Sequence, residues 1–180
     1  MNLHFSPELL LKAQNIRVLL LDVDGVLTDG GIYMAEQGEI FKRFSTLDGH
    51  GIKLLQASGV KVAVISGRDS AALRVRLQAL GVQHMELGTE DKLPAAQRVL
   101  HALGLDWSQA AVMGDDWPDL PLMKRAALVA APQTAHAEAL ALAHWVVQAP
   151  AGGGAVRAIC DCLLVASGAY RLELEKALGN

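Results

Sequence analysis

Cysteine, aromatic residues and any excess of one charge are scarce in this chain. Two of its 180 residues are cysteine, 4% are aromatic, and 16 Lys and Arg face 19 Asp and Glu for a formal charge of −3. Cys160 and Cys162 lie two apart in a helical pattern, about 200° around the axis from each other, so they form neither a disulfide nor a thiolate metal pair. They are expected as small buried apolar residues, which suits a reducing cytoplasm. With so few aromatics the core has to be built from Leu, Val, Ile and Ala. The lack of a basic excess excludes a nucleic-acid backbone binder. The longest apolar run, Ala126–Ala131, has six residues, against roughly 18 for a membrane span. Met1–Ser6 lacks the basic-then-apolar pattern of an export signal, so a cytoplasmic protein without membrane contact is expected. What is abundant is apolar aliphatic sequence. Apolar residues make up 52% and charged residues 19%, which excludes disorder, and the length suits one domain over 1–180.

Hydrophobic periodicity supplies the organisation. Ser6-Pro7-Glu8 reads as a helix start, with the helix running to about residue 15. Ile16–Leu21 is a nearly continuous apolar run, as in a strand buried on both faces. Val60–Ile65, Val82–Leu87, Ala110–Met113 and Leu128–Ala131 share that character, with Trp145–Val147 a weaker sixth. Helical patterns fall at 49–57, 69–80, 92–103, 118–124, 134–143 and 154–168. Strand–helix alternation of this kind predicts a Rossmann-like α/β fold, an open parallel sheet with helices on both faces and its site at the carboxyl ends of the strands. One segment departs from the alternation. Gly31–Phe44 reads as a β-hairpin around Glu36-Gln37-Gly38, projecting after the first strand. Gly152-Gly153-Gly154 reads as a turn rather than a phosphate loop, because no strand clearly feeds it.

The acids fall at the strand ends. Asp22 and Asp24 follow the first strand, Ser66-Gly67-Arg68 the second, and Asp115, Asp116 and Asp119 the fourth, while Lys92 opens the intervening helix. A parallel sheet brings all of these to one edge, where carboxylates a few ångströms apart repel by several kcal/mol at an effective dielectric near ~20. A cluster of hard oxygen donors without His or Cys selects Mg²⁺. Asp22 has the chemistry of a nucleophile toward phosphorus, and Asp24 is placed to protonate the leaving oxygen and then to activate water. Asp22, Asp24 and Asp115 are the expected metal residues, with Asp116 or Asp119 behind them through water. Ser66 and the Gly67 amide form an expected phosphate cradle, Lys92 adds positive charge, and Arg68 is expected at the substrate.

In this order the motifs resemble those of haloacid dehalogenase-superfamily phosphatases: Asp22-Val23-Asp24-Gly25-Val26-Leu27-Thr28-Asp29-Gly30, then Ser66, Lys92 and Gly114-Asp115-Asp116. More narrowly, Leu27–Gly30, the hairpin, Phe44–Ile52, Ile65–Arg68 and Ala155-Val156-Arg157 resemble the 3-deoxy-D-manno-octulosonate 8-phosphate phosphatase family. The resemblance implies a Mg²⁺-dependent homotetramer that releases phosphate from the eight-carbon sugar acid of lipopolysaccharide synthesis. It implies substrate-binding positions at Asp24, Ser45, Thr46, Leu47, Asp48, Gly49, Lys53, Arg68, Arg76 and Lys92. The chain has Gly153 and Lys53 where that family often has Arg, and Lys lacks the bidentate fork of Arg. Two other readings are a phosphatase for a nine-carbon, sialic-acid-type sugar phosphate and a non-catalytic, tetramer-forming domain.

Thirty-seven residues separate Thr28 from Ser66 and 22 separate Lys92 from Asp115, too few for a cap domain at either place. A neighbouring subunit is therefore expected to cover the site, through Ile32–Phe41 and through the Leu172–Asn180 tail. His50 is expected near the site without acting as a base, and His4, His84, His101, His136 and His144 as structural or exposed. Trp107, Trp117 and Trp145 are expected as packing residues, Trp117 also shaping the acidic loop.

Overall fold

The computed structural model describes residues 3–36 and 38–179; Met1, Asn2, Gln37 of the expected hairpin turn and Asn180 of the tail lie outside them. Among the described residues there are eight strands: β1 (Val18–Leu21), β2 (Tyr33–Ala35), β3 (Gly38–Phe41), β4 (Lys61–Ser66), β5 (His84–Leu87), β6 (Ala110–Met113), β7 (Leu128–Pro132) and β8 (Trp145–Val147). The helices are α1 (Pro7–Ala13), α2 (Thr46–Ala57), α3 (Ala71–Leu80), α4 (Lys92–Leu103), α5 (Leu120–Met123), α6 (Ala137–Leu142), α7 (Ala155–Ala166) and α8 (Ala169–Leu178).

Six strands form one parallel sheet in the order β5-β4-β1-β6-β7-β8, and β2 and β3 pair antiparallel as a separate ribbon. In β1 every residue is buried, and alternate residues serve opposite faces. Leu19 and Leu21 join the core under α2, α3 and α7, while Val18 and Leu20 join the core under α4, α5 and α6. A strand covered on both sides has no solvent face to mark with polar residues, which is why Leu-Leu-Leu stands in its sequence.

The expected elements occur with shifted ends. Ser70 caps α3 by accepting from the Leu73 N–H at 3.3 Å, so the helix begins at Ala71 instead of residue 69. The acidic loop is a 3₁₀ turn, Trp117–Asp119, that leads into the short α5. The last helical stretch is two helices, because Gly168 takes φ +76° between α7 and α8. The tail is thus helical, with Leu172, Leu174 and Leu178 exposed. Among the described residues no separate cap domain stands over the strand ends, and no helix is long and apolar enough to cross a membrane.

Candidate active site

At the carboxyl ends of β1, β4 and β6 lies a cleft of about 700 Å³ lined by Asp22, Asp24, Ser66, Arg68, Lys92 and Asp115, with Asp116 and Asp119 completing its floor and rim. Register explains the convergence. Leu21 pairs with Val64 and Met113, so the residues that follow each strand emerge at the same level, and Asp22 donates its N–H to the Met113 carbonyl at 3.1 Å.

On the Asp22 side, the Lys92 ammonium lies 2.6 Å from Asp22 Oδ1 and 2.7 Å from Asp119 Oδ1, with the lysine side chain 4% exposed. The second Asp119 oxygen accepts from the Asp115 N–H at 3.0 Å, which orients the loop after β6. Oxygens of Asp22, Asp115 and Asp119 approach within 4.8 Å of one another. Burial, reinforced by the charge of Asp119, pushes the Asp22 carboxyl up to about 6 despite Lys92 beside it. Burial and the charges of Asp22 and Asp119 push Asp115 further, to about 8. Burial acts to lower the pKa of Lys92, but Asp22 and Asp119 outweigh it and the ammonium is raised.

A divalent cation fits this arrangement. Three carboxylates meet one ammonium, the donors are all hard oxygens, and Asp115 Oδ1 is buried without a hydrogen-bond partner. Glycine makes room for it. Gly25 sits at φ +91°, and a Cβ there would overlap the Asp115 carboxylate; a Cβ on Gly114 would likewise collide with Asp119.

On the opposite side, Asp24 turns away from the carboxylate cluster. Its Oδ1 accepts from the Lys42 ammonium at 2.6 Å and from the Thr28 hydroxyl at 3.4 Å, and Arg68 Nε lies 3.8 Å from its Oδ2. The structure therefore brings Asp22 and Asp115 together with Asp119, and it directs the carboxylate of Asp24 elsewhere. The Ser66 hydroxyl, buried at the end of β4, accepts from the Arg68 N–H at 3.2 Å and holds the turn into the cleft.

The remaining expected substrate positions do not line the cleft within one chain. Ser45 caps α2, with Thr46 and Leu47 exposed on its first turn. Asp48 is 1% exposed and accepts from the Gly154 N–H at 3.2 Å and the Arg157 N–H at 2.7 Å, so it caps α7. Burial raises its pKa and these amides oppose the rise. Gly49 packs against Arg76, whose guanidinium donates to the Ser45 carbonyl at 3.0 Å and stacks over Phe44. Lys53 is exposed on α2. The Gly152 turn is buried against the backbone of Thr28 and donates to the Val26 carbonyl at 3.0 Å, which braces the loop after β1. Its neighbour Gly153 is exposed.

Lys42 and Thr28, beside Asp24, and Glu90, which also lines the cleft, were not among the expected site residues. Lys42 lies between Phe41 and Arg43 in an extended stretch, and nothing in that spacing signals a buried ammonium. Trp117 is exposed on the acidic loop and donates to His136 Nδ1 at 3.3 Å.

Residues 88–159 match the model of the haloacid dehalogenase-like hydrolase family. The chain is 41% identical over 175 residues to the 3-deoxy-D-manno-octulosonate 8-phosphate phosphatase of Salmonella typhimurium, covering 97% of this chain and 91% of that protein. It belongs to that phosphatase family. The crystal structure of the Yersinia pestis phosphatase of the same name superposes with a TM-score of 0.90 at 41% identity, over 93% of this chain and 90% of that one. A second family structure, from Moraxella catarrhalis, is a complex with a magnesium ion, a phosphate ion and a KDO molecule; it matches with a TM-score of 0.92 at 32% identity, over 96% and 99% of the two chains. The chain is accordingly a phosphatase, and both sides of the cleft can be read in those terms.

Proposed function

We propose that the protein hydrolyses 3-deoxy-D-manno-octulosonate 8-phosphate to the free sugar acid and inorganic phosphate, with Mg²⁺ and through an aspartyl-phosphate on Asp22. The observation that carries this reading is the pairing of Asp22 with Lys92 on one side of the cleft and a separately held Asp24 on the other. Family membership supplies the substrate.

Asp22 and Asp115 would hold the cation through their carboxylates, Asp24 would contribute through its main chain because Lys42 holds its side chain, and Asp116 and Asp119 would support the set. The cation supplies charge that lets an anionic nucleophile approach a phosphate dianion. Lys92 orients Asp22 by holding Oδ1 and adds positive charge toward the phosphate. An Asp22 oxygen bonds to phosphorus as the bond from phosphorus to the sugar oxygen breaks. Asp24 gives its proton to that leaving oxygen, then as a carboxylate takes one from water, which attacks phosphorus and frees Asp22. Ser66, the Gly67 amide and Arg68 are the groups placed to hold the phosphate oxygens.

With no cap over the cleft, a second copy of the chain is proposed to cover it in a homotetramer. The hairpin supports this, since Ile32, Tyr33, Met34, Ile40 and Phe41 are all exposed on it. In that assembly the exposed Thr46, Leu47 and Lys53, which do not line the cleft of their own chain, would bear on the sugar of a neighbouring chain, with Ser45, Asp48, Gly49 and Arg76 packed behind them. The setting proposed is the cytoplasmic part of lipopolysaccharide synthesis. A monomer in solution that kept full selectivity would overturn the assembly reading.

The test is phosphate release from 3-deoxy-D-manno-octulosonate 8-phosphate beside sialic-acid 9-phosphates, hexose 6-phosphates and phosphoserine, with and without Mg²⁺. A Mg²⁺-dependent preference of about 100-fold, or ~2.7 kcal/mol of transition-state discrimination, is expected for the eight-carbon substrate. A preference for the nine-carbon acids would move the assignment to them, and absence of turnover would favour a non-catalytic assembly domain.

A further inference from the structure

Lys42 is among the most deeply buried cations of the molecule, its side chain 1% exposed, yet the phosphatase reading gives it no part. Its ammonium has two anionic partners: Asp24 Oδ1 at 2.6 Å and Glu39 Oε2 at 3.2 Å. A buried lysine stays charged only where such partners replace water. Glu39 is itself an unusual companion. It lies in β3 with its side chain 12% exposed, and its Oε1 is buried with no hydrogen-bond partner. A carboxylate left half-satisfied there has Lys42 as the group that accounts for its position.

We propose that Lys42 is a positioning residue for Asp24, and that Glu39 on the hairpin holds Lys42 in place. The inference rests on the reading of Asp24 as the acid that protonates the leaving oxygen. An ammonium only donates hydrogen bonds, so the oxygen facing Lys42 is an acceptor. The single Thr28 hydroxyl proton lies between that oxygen at 3.4 Å and the Val23 carbonyl at 3.3 Å. Oδ1 is thus engaged on the protein side by Lys42, and Oδ2, beside Arg68, is the oxygen presented to the substrate. Without Lys42 the carboxyl is free to rotate about χ2 and to present either oxygen, or neither, to the leaving group. The hairpin is in this way tied to the chemistry, since its strand β3 supplies the carboxylate that fixes Lys42.

Leaving-group dependence tests the assignment, because an acid matters only where the leaving oxygen needs a proton. The full-length Mg²⁺-loaded protein is compared with Lys42→Met, Lys42→Arg, Glu39→Gln and Asp24→Asn. Rapid quench reads first-turnover release of the leaving group from 3-deoxy-D-manno-octulosonate 8-phosphate and from acetyl phosphate, whose acetate departs unprotonated. For Lys42→Met the sugar-phosphate step is expected to fall about 100-fold, the scale of a general-acid contribution. Its KM should stay within about threefold and the acetyl phosphate step within about threefold, since orientation of the acid is spent in the transition state. Lys42→Arg should recover part of the loss. Glu39→Gln should show the same selective pattern at roughly tenfold, and with Lys42→Arg it decides the matter if Lys42→Met fails to fold. Equal losses on both substrates, or no loss on either, would overturn the role of Lys42. Asp24→Asn separates the two readings: a selective loss there with none for Lys42→Met removes Lys42 alone, whereas an unselective loss removes the acid assignment of Asp24 itself.

Discussion

The two walls of the cleft solve opposite electrostatic problems. On one wall Asp22, Asp115 and Asp119 crowd together, Lys92 contacts two of them, and negative charge exceeds positive. On the other wall, Asp24 and Glu39 are matched by Lys42 and Arg68. The first wall is built from ends of β1 and β6 and the start of α4, rigid elements locked in register, and it tolerates repulsion that a cation would relieve. The second is closed by the base of a hairpin and needs no cation. The difference teaches which carboxylates are left for a cation to relieve and which one the protein's own cations already hold.

The comparison can be broken most severely at its first wall. Asp22→Asn removes the proposed nucleophile and should lower turnover by about 10⁴-fold or more, read as phosphate release with excess Mg²⁺. A residual rate within tenfold of the parent would exclude the aspartyl-phosphate route.

Lys92→Met should act on the fold as well as the chemistry. It leaves Asp22 and Asp119 facing each other without a cation, and removing one partner of a buried pair costs about 3–5 kcal/mol. Chemical denaturation without metal should show that loss, and added Mg²⁺ should recover part of it.

A smaller effect sharpens the contrast through pH. Asp22 and Asp115 are raised to about 6 and about 8, above their ordinary value of 3.8. Without metal the folded state therefore holds protons that the unfolded chain releases, and this support is lost as pH rises through about 6 and then about 8. A cation competes with the same protons. The gap in Tm between Mg²⁺-saturated and metal-free protein should accordingly widen between pH 6 and 8, and calorimetry in buffers of different ionisation enthalpy should show proton release on binding. A gap independent of pH would place the cation elsewhere.

The smallest effect lies away from both walls. Asp48→Ala removes the acceptor for the Gly154 and Arg157 amides and uncaps α7, which should cost about 1 kcal/mol and a few degrees of Tm. An unchanged Tm would show that water replaces the carboxylate.

These expectations differ in how far each could be read from the chain. Asp22, Ser66, Lys92 and Asp115 were legible because each stands within two residues of the end of an apolar strand or at the start of a helix. Asp48 was legible as a residue of a recognised stretch, but its contact with α7 joins positions 106 and 109 apart in sequence, and no local pattern reports it. Lys42 is a similar case, since its partner Asp24 lies 18 residues earlier across the hairpin. Gly152 was read as a turn, and its burial against Thr28 appears only once α7 docks beside the loop after β1.

The sequence by itself determined the alternation of strands and helices, the parallel order that follows from it, and the set of acids at the strand ends. Local propensity and two-sided burial leave their mark residue by residue, so these features need no partner to be recognised. Only the tertiary structure decided that Asp119 joins Asp22 and Asp115 around Lys92, that Asp24 faces Lys42 instead, and that Gly25 leaves space for Asp115. Those outcomes depend on distances of a few ångströms between groups far apart in the chain, and charge and contact act on distance in space.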